Sequence, residues 1–357
     1  MTMITQTLCL KKEHSQYNGI VAFGPEQVGK IKHVKPLLET RTMKLYFPIP
    51  PMNDPIIKES RPHRVISHLL GHESPGSLHS LLNDLGYLNA LSSGIAIDIS
   101  DFSLYSLTLS LTPLGMKHHD DILQLCFEWI SLIQTTIVSN PTLIEQYHDE
   151  LQQMAENKFR FRENGDPVDF CSAASESMFD EYTPPERLLV ASSIDVGTYN
   201  DEVTCEFLKR ITPQNCMIFM IDSDWNDNDD NDDDWTTDPW YGARYRTMEM
   251  TKEQMDQWEF PKTIDSRLHL PALNKYIPSD FSLRCDDDKD TKDNNSDDQT
   301  ETTTLDNNAA AVTTEEEAVV GLEEIQKPPT LLAASPTYRL WHKMDRYWRV
   351  PKTFILD

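Results

Sequence analysis

The sequence predicts an α+β fold in which helices pack on one face of a mostly antiparallel sheet, and three observations carry that expectation. Leu78, Leu81, Leu82 and Leu85 recur at helical spacing, which gives one apolar stripe. Leu107, Leu109 and Leu111 alternate with Ser106, Thr108, Ser110 and Thr112, the period-two signature of a half-buried strand. The elements come in the order helix, helix, strands, helix, helix, strand rather than in the regular alternation of a parallel sheet.

Taken in chain order, the first thirty residues or so show weak periodicity and read as a tail. Met43 to Phe47 reads as a short strand stopped by Pro48, Pro50 and Pro51, since proline cannot donate to a central ladder. Arg61 to Leu70 has helical spacing, with Pro62 in a first turn where its missing N–H costs nothing. A second helix is expected from Ser74 as N-cap and Pro75 at the first position to a stop at Gly86. Eleven residues alone are marginal in water, so burial of its four leucines, roughly 1.5 to 3 kcal/mol each, has to hold it. Period-two strands are expected over Ile95 to Ile99 and Leu107 to Leu111, then a helix over Asp120 to Ser139 through Ile122, Leu125, Trp129, Ile133 and Ile137. Pro141 separates it from a long polar helix over Leu143 to Arg160. Another helical stretch comes after Pro184 and Pro185, Glu202 to Arg210 is short and amphipathic, and Met217 to Ile221 is an apolar run of strand length.

The formal charge of -26 is local rather than general. Asp222 to Asp234 carries eight acidic residues and no basic ones, and Asp286 to Glu324 carries fourteen against Lys289 and Lys292. Together these supply 20 of the 26 negative charges, which leaves an ordinary balance for the remaining chain. Neither segment can recover an ordering cost of about 1 to 2 kcal/mol per residue by burial, so disordered acidic insertions are expected at 222–236 and 285–327. Asp222, Asp224 and Asn226 imitate the start of a calcium loop, but Asp227 stands where that loop needs glycine and Asp233 where it needs glutamate. A solvated charge run is the stronger expectation. Six cysteines without short pairings suit a reduced compartment. The N-terminus lacks a basic region before its short apolar stretch, and no apolar run of roughly 18 residues is present. The expectation is a soluble, cytoplasmic chain without membrane or nucleic-acid partners.

The segment HLLGHESPGSLHSLLNDLGYLNALSSG, from His68, closely resembles the second domain of the insulysin, nardilysin and pitrilysin family of inverted-motif zinc endopeptidases. FPIPP at Phe47, ITPQNCMIFM at Ile211, DPWYGARY at Asp238, LPALNKYIPSDF at Leu270 and LWHKMDRYWRVPK at Leu340 look like further family segments, in family order. The resemblance implies a tail over 1–29 and one interrupted middle domain over 30–357, with the α+β architecture of that family's repeated domain. It also implies that the H-x-x-E-H zinc motif belongs to a first domain that this chain lacks, so that no catalytic residue and no cofactor are expected here.

His68 and His72 keep the two-histidine spacing of that motif, but Gly71 stands where the glutamate base belongs. Two imidazoles without a third ligand and a carboxylate base make no hydrolytic centre. Glu73 lies about 200° further round a helix, on the opposite face. The family's third-ligand spacing falls near Asp149 and Glu150, as descent from a duplicated zinc domain would leave it. His68 and His72 are therefore expected to be structural and to hold no catalytic zinc. His118 and His119 read as a solvated turn before a helix.

For function, the resemblance implies a chamber wall with an exosite that holds the N-terminal end of a peptide substrate, at Leu91, Ser92, Ser93, Gly94 and Ile95. An exposed strand edge offers backbone N–H and C=O groups to an extended peptide, and glycine permits close approach. Ser93 stands where the family usually has a second glycine. The competing structural reading is a hairpin turn before the Ile95 strand. Two functions are carried forward. One is the substrate-binding part of a zinc metalloendopeptidase, inactive alone and dependent on a catalytic domain supplied elsewhere. The other is a non-enzymatic scaffold whose acidic segments dock basic partners.

Overall fold

A computed structural model of the chain describes residues 23–99, 102–162, 165–179, 185, 188–189, 196–225, 235–281, 329–334 and 339–342. The chain divides into two units, Met1–Ile277 and Pro278–Asp357. Among the described residues the first contains strands β1 (Lys30–Lys35), β2 (Arg41–Ile49), β3 (Leu88–Asp98), β4 (Ser103–Leu111), β5 (Met217–Asp222), β6 (Thr236–Thr237) and β7 (Arg244–Glu249). Its helices are α1 (Pro55–Ser60), α2 (His63–Leu70), α3 (Leu78–Asp84), α4 (Pro113–Lys117), α5 (His119–Ser139), α6 (Pro141–Arg160), α7 (Pro167–Phe179), α8 (Asp201–Leu208) and α9 (Lys252–Glu259). In the second unit β8 (Thr330–Ala334) and β9 (Arg339–His342) form an antiparallel pair.

The seven strands make one sheet in the order β3-β4-β2-β5-β1-β7-β6, in which, among the described residues, β1 and β5 alone are parallel neighbours. The fold is thus α+β with a mostly antiparallel sheet, as the patterning predicts. Alternation decides which face is buried. Met43, Leu45 and Phe47 of β2, Tyr105, Leu107 and Leu109 of β4 and Ile218 and Met220 of β5 join Ile66, Leu69 and Leu70 of α2, Leu78 and Leu82 of α3 and Trp129 and Ile133 of α5 in one core. The intervening residues, among them Lys44, Tyr46, Ser106, Thr108 and Phe219, form a half-buried opposite face. The long helix α5 is apolar enough to span a bilayer by composition, but most of its apolar residues are buried in this core.

Several boundaries differ from the expectation. The leucine helix begins at Leu78, and its N-cap is Ser77, whose side chain accepts from Ser80 N at 3.1 Å. Ser74 to Gly76 form a turn instead, because Gly76 takes a left-handed φ of 85° that no helix residue can adopt. Gly86 ends the helix as expected, at φ 72°, with Tyr87 N donating to Leu82 O and Gly86 N to Asn83 O, the paired bonds of a Schellman motif. Strand β2 runs through Pro48 rather than stopping before it. Its ladder with β5 ends at Tyr46, so no hydrogen bond is lost on that side, and Pro48 O accepts from the Asn215 side chain at 2.8 Å.

The acidic stretch that begins at Asp222 also starts inside the fold. Asp222 ends β5 and is buried, and Arg41 reaches Asp222 at 3.6 Å and Asp224 at 2.6 Å. These two carboxylates are thereby engaged by an arginine, not arranged for calcium. Residues 226–234 and 282–328, and with them the body of both acidic segments, lie outside the described residues, as do residues 1–22 and most of the stretch after Pro184 and Pro185.

Candidate functional site

The first unit has one long strand at the end of its sheet order. β3 pairs with β4 alone, in a register that is regular from Ala90 to Ile95 and shifted on both sides, between Leu88 and Ala90 and between Ile95 and Ile97. Leu91, Ser92, Ser93, Gly94 and Ile95 therefore form the straight stretch of an edge strand, bracketed by two irregularities. They are not the turn that the competing reading placed before Ile95. Bulges of this kind concentrate at sheet edges and end pairing there. On the side away from β4, no strand among the described residues occupies the backbone groups of β3.

Side chains fix the strand from below. Leu91 and Ile95 pack partly against the core. Ser93 Oγ donates to Ser67 O at 2.9 Å, which ties β3 to α2. Ser67 Oγ in turn lies 3.0 Å from Tyr105 OH, a phenol pushed up to about 12 by burial. Ser106 Oγ reaches Gly94 O at 3.4 Å, from the residue paired with it. A Cβ added at Gly94 would meet nothing nearer than Ser67 Oγ at 4.0 Å. Ser93, the departure from the family pattern, thus turns its side chain toward α2 and leaves the strand edge uncovered. Ser67, Tyr105 and Ser106 were not foreseen as site residues. The only hint is that Ser67 lies one helical turn before Gly71, and Ser106 on the polar face of its strand.

His68 and His72 do come together, with ring centroids 5.0 Å apart at 81°. The geometry does not fit a zinc centre. His72 Nδ1 accepts from Ser74 N at 3.1 Å, and α2 ends at Leu70, so His72 lies past the helix rather than one turn along it. A side chain on Gly71 would bring its Cβ to within 3.2 Å of Ser93 Oγ and 3.1 Å of Ser67 O, a tight fit that needs these neighbours to give by a few tenths of an ångström. Glu150 accepts from Asn274 N. Among the described residues no three of His, Cys, Asp and Glu come within reach of one ion. His68 is held down to about 4 by burial and by the neighbouring His72, and burial lowers His72 as well, which keeps both rings neutral near pH 7.

Three further histidines make contacts within the fold. His118 joins α4 to α5, stacks on Tyr87 at 4.9 Å and sits 3.0 Å from Asp121 Oδ2. His119 Nδ1 meets Met116 O at 2.9 Å. His33 is buried on β1, stacked 4.4 Å from Trp225, with Arg246 Nε donating to its Nδ1 at 3.1 Å.

Comparison with known proteins bears on the family and the fold. Residues 12–140 match the peptidase M16 inactive domain, and residues 159–356 match the middle or third domain of peptidase M16. The gap between the matches falls in α6. A nardilysin-like protein of Arabidopsis thaliana is 26% identical over 329 residues, covering 91% of this chain and 28% of that protein. Insulin-degrading enzyme-like 2 of the same plant is 30% identical over 320 residues, covering 90% of this chain and 28% of the relative. The crystal structure of pitrilysin superposes with a TM-score of 0.63 at 25% identity, covering 74% of this chain and 26% of that one. The chain spans little more than a quarter of the length of these relatives. Matched from residue 12 to 356 and folded like its solved relative, the chain belongs to the peptidase M16 family of metallopeptidases, as its inactive and middle domain regions.

Proposed function

We propose that this chain is the substrate-binding, chamber-forming part of an insulysin-like zinc metalloendopeptidase, with the zinc-bearing domain supplied by another chain or by further sequence of the same protein. One observation carries the reading: the straight stretch Leu91 to Ile95 of an edge strand, fastened to α2 and, among the described residues, without a strand on its outer side. An extended peptide can add to such an edge as a further strand, with main-chain hydrogen bonds for affinity. The chain itself positions the substrate and performs no bond cleavage, since Gly71 and the engaged Glu150 leave no base or third ligand beside His68 and His72.

Hydrogen exchange of the full chain, with and without a ~10-residue threonine–valine peptide as probe, tests the reading. Added peptide should slow exchange in the segment 88–98 and leave the helices unchanged. Protection confined to other segments would overturn it. The scaffold alternative separates cleanly in the same experiment. Deleting 286–324 should leave peptide protection of β3 intact, whereas a partner-docking role for the acidic segment predicts loss of capture.

A further inference from the structure

The face of the sheet opposite the helices carries a charge arrangement that the scaffold does not need. Lys44 on β2 is paired in register with Phe219 on β5, and Phe219 faces Lys32 on β1. Cross-strand partners share a face, so the row runs Lys44, Phe219, Lys32 across three adjacent strands spaced about 4.8 Å apart. The Lys32 ammonium lies 5.4 Å from the Phe219 ring centroid, and Tyr46 meets the same ring edge-on at 5.6 Å. The row continues to Thr108 and Ser92 on one side and to Thr247 on the other, all without charge.

Both lysines are half-buried, and among the described residues neither has a carboxylate within ion-pairing distance. One row along, the pattern is different. Lys30 pairs with Glu249 at 3.0 Å, across the same β1–β7 ladder. Lys44 and Lys32 thus place two positive charges on either side of one aromatic ring, with no negative side chain in their row. Two ammonium groups on the strands flanking β5, one of them beside an aromatic ring, attract an anion through their summed Coulomb interaction.

We infer that Lys44 and Lys32, with Phe219 between them, form a subsite for an acidic side chain of the peptide held at β3. The inference rests on the edge-strand reading above and adds a substrate preference to it. Reach sets where that side chain must lie. A peptide paired with β3 is three strand spacings from β2, about 14 Å, beyond the span of a lysine and a glutamate together. Lys32 on β1 is two spacings further still, so the acidic residue is in the segment that leaves the paired stretch and crosses this face, about four to seven residues further along at ~3.3 Å per residue. Charge and position together make the site selective: the edge accepts any extended backbone, and the lysine row discriminates among the residues that cross the open face.

The test uses the full chain and two series of ~10-residue threonine–valine peptides, one carrying a single glutamate stepped along the sequence and the other glutamine at the same positions. Binding is monitored by fluorescence anisotropy and β3 protection by hydrogen exchange. The expected result is a roughly tenfold preference for glutamate at one position near the end of the peptide, falling as salt is raised. Lys44→Gln, Lys32→Gln and the double variant keep most of the side-chain stem, and they should reduce the preference to below about twofold while affinity for the glutamine series and β3 protection stay unchanged. Equal binding of both series with β3 protected would overturn the subsite and leave the edge reading standing. A preference that survives in the double variant overturns the subsite as well. Absence of β3 protection by either series overturns both.

Discussion

At the scale of single residues, one glycine distinguishes the His68–His72 segment from the family's zinc motif. Gly71 stands at the position of the motif's base, and a Cβ there would press on Ser93 Oγ and Ser67 O, the partners in the bond that ties β3 to α2. Restoring the motif should therefore fail. Gly71→Glu is expected to bind no stoichiometric zinc by elemental analysis, to cleave no peptide and to melt lower than the parent chain, and a zinc-loaded, active variant would show the volume argument to be wrong. The histidines make a second prediction, on pH. His68 titrates at 6.5 when unfolded and about 4 when folded, and His33 is lowered in the same way by burial, Arg246 and His119. Below 6.5 the unfolded chain takes up protons that the folded chain refuses, so these rings remove stability as pH falls toward 4 and cost nothing above 6.5. Each adds a slope of at most about 1.4 kcal/mol per pH unit in that window. Urea unfolding of His68→Gln between pH 4.5 and 7 should show the slope reduced by about one proton's worth; an unchanged slope would mean that the ring is solvated.

At the scale of elements, the caps tell which parts of the pattern were legible. The four-leucine stripe identified α3, and Gly86 identified its end, because both are local consequences of periodicity and of a left-handed stop. The start was misplaced at Ser74 since Ser-Pro is a strong entry signal, and only the left-handed turn at Gly76, packed against His269, moved it to Ser77. Ser77→Ala should therefore cost about 1 kcal/mol in denaturant unfolding. Ser74→Ala should be close to neutral, as its hydroxyl is buried without a partner. If the two effects were reversed, the cap assignment would fall. Strand β3 was legible only in its second half, from Ile95, because Leu91 to Gly94 carry two serines and a glycine that lack β-propensity. Its upper half is strand by virtue of its pairing with β4 and the bond from Ser93 to α2, which are tertiary facts. Strand β1 was missed for a related reason: among three lysines and a histidine, Ile31 and Val34 are too few and too irregularly spaced to show a period of two.

At the scale of the whole molecule, the two matched regions are not separable bodies. β5, from the second, lies between β2 and β1 of the first, and β7, also from the second, covers the outer edge of β1. Residues 23–158 produced alone should thus lack a continuous sheet and show no cooperative melting transition by circular dichroism, whereas a sharp transition would establish that the first region folds by itself. Sequence patterning revealed individual strands of this arrangement but not the interleaving, because nothing in Met217 to Ile221 says which neighbours it will take. The same insertion has a consequence in time. During synthesis β1, β2 and β4 leave the ribosome more than a hundred residues before β5, so β1 and β2 emerge well before the strand that joins them in the finished sheet. A sheet that must be closed from such a distance folds late and stays open to wrong pairings meanwhile, and the last strand to arrive in the centre sets the moment at which the nascent chain becomes safe.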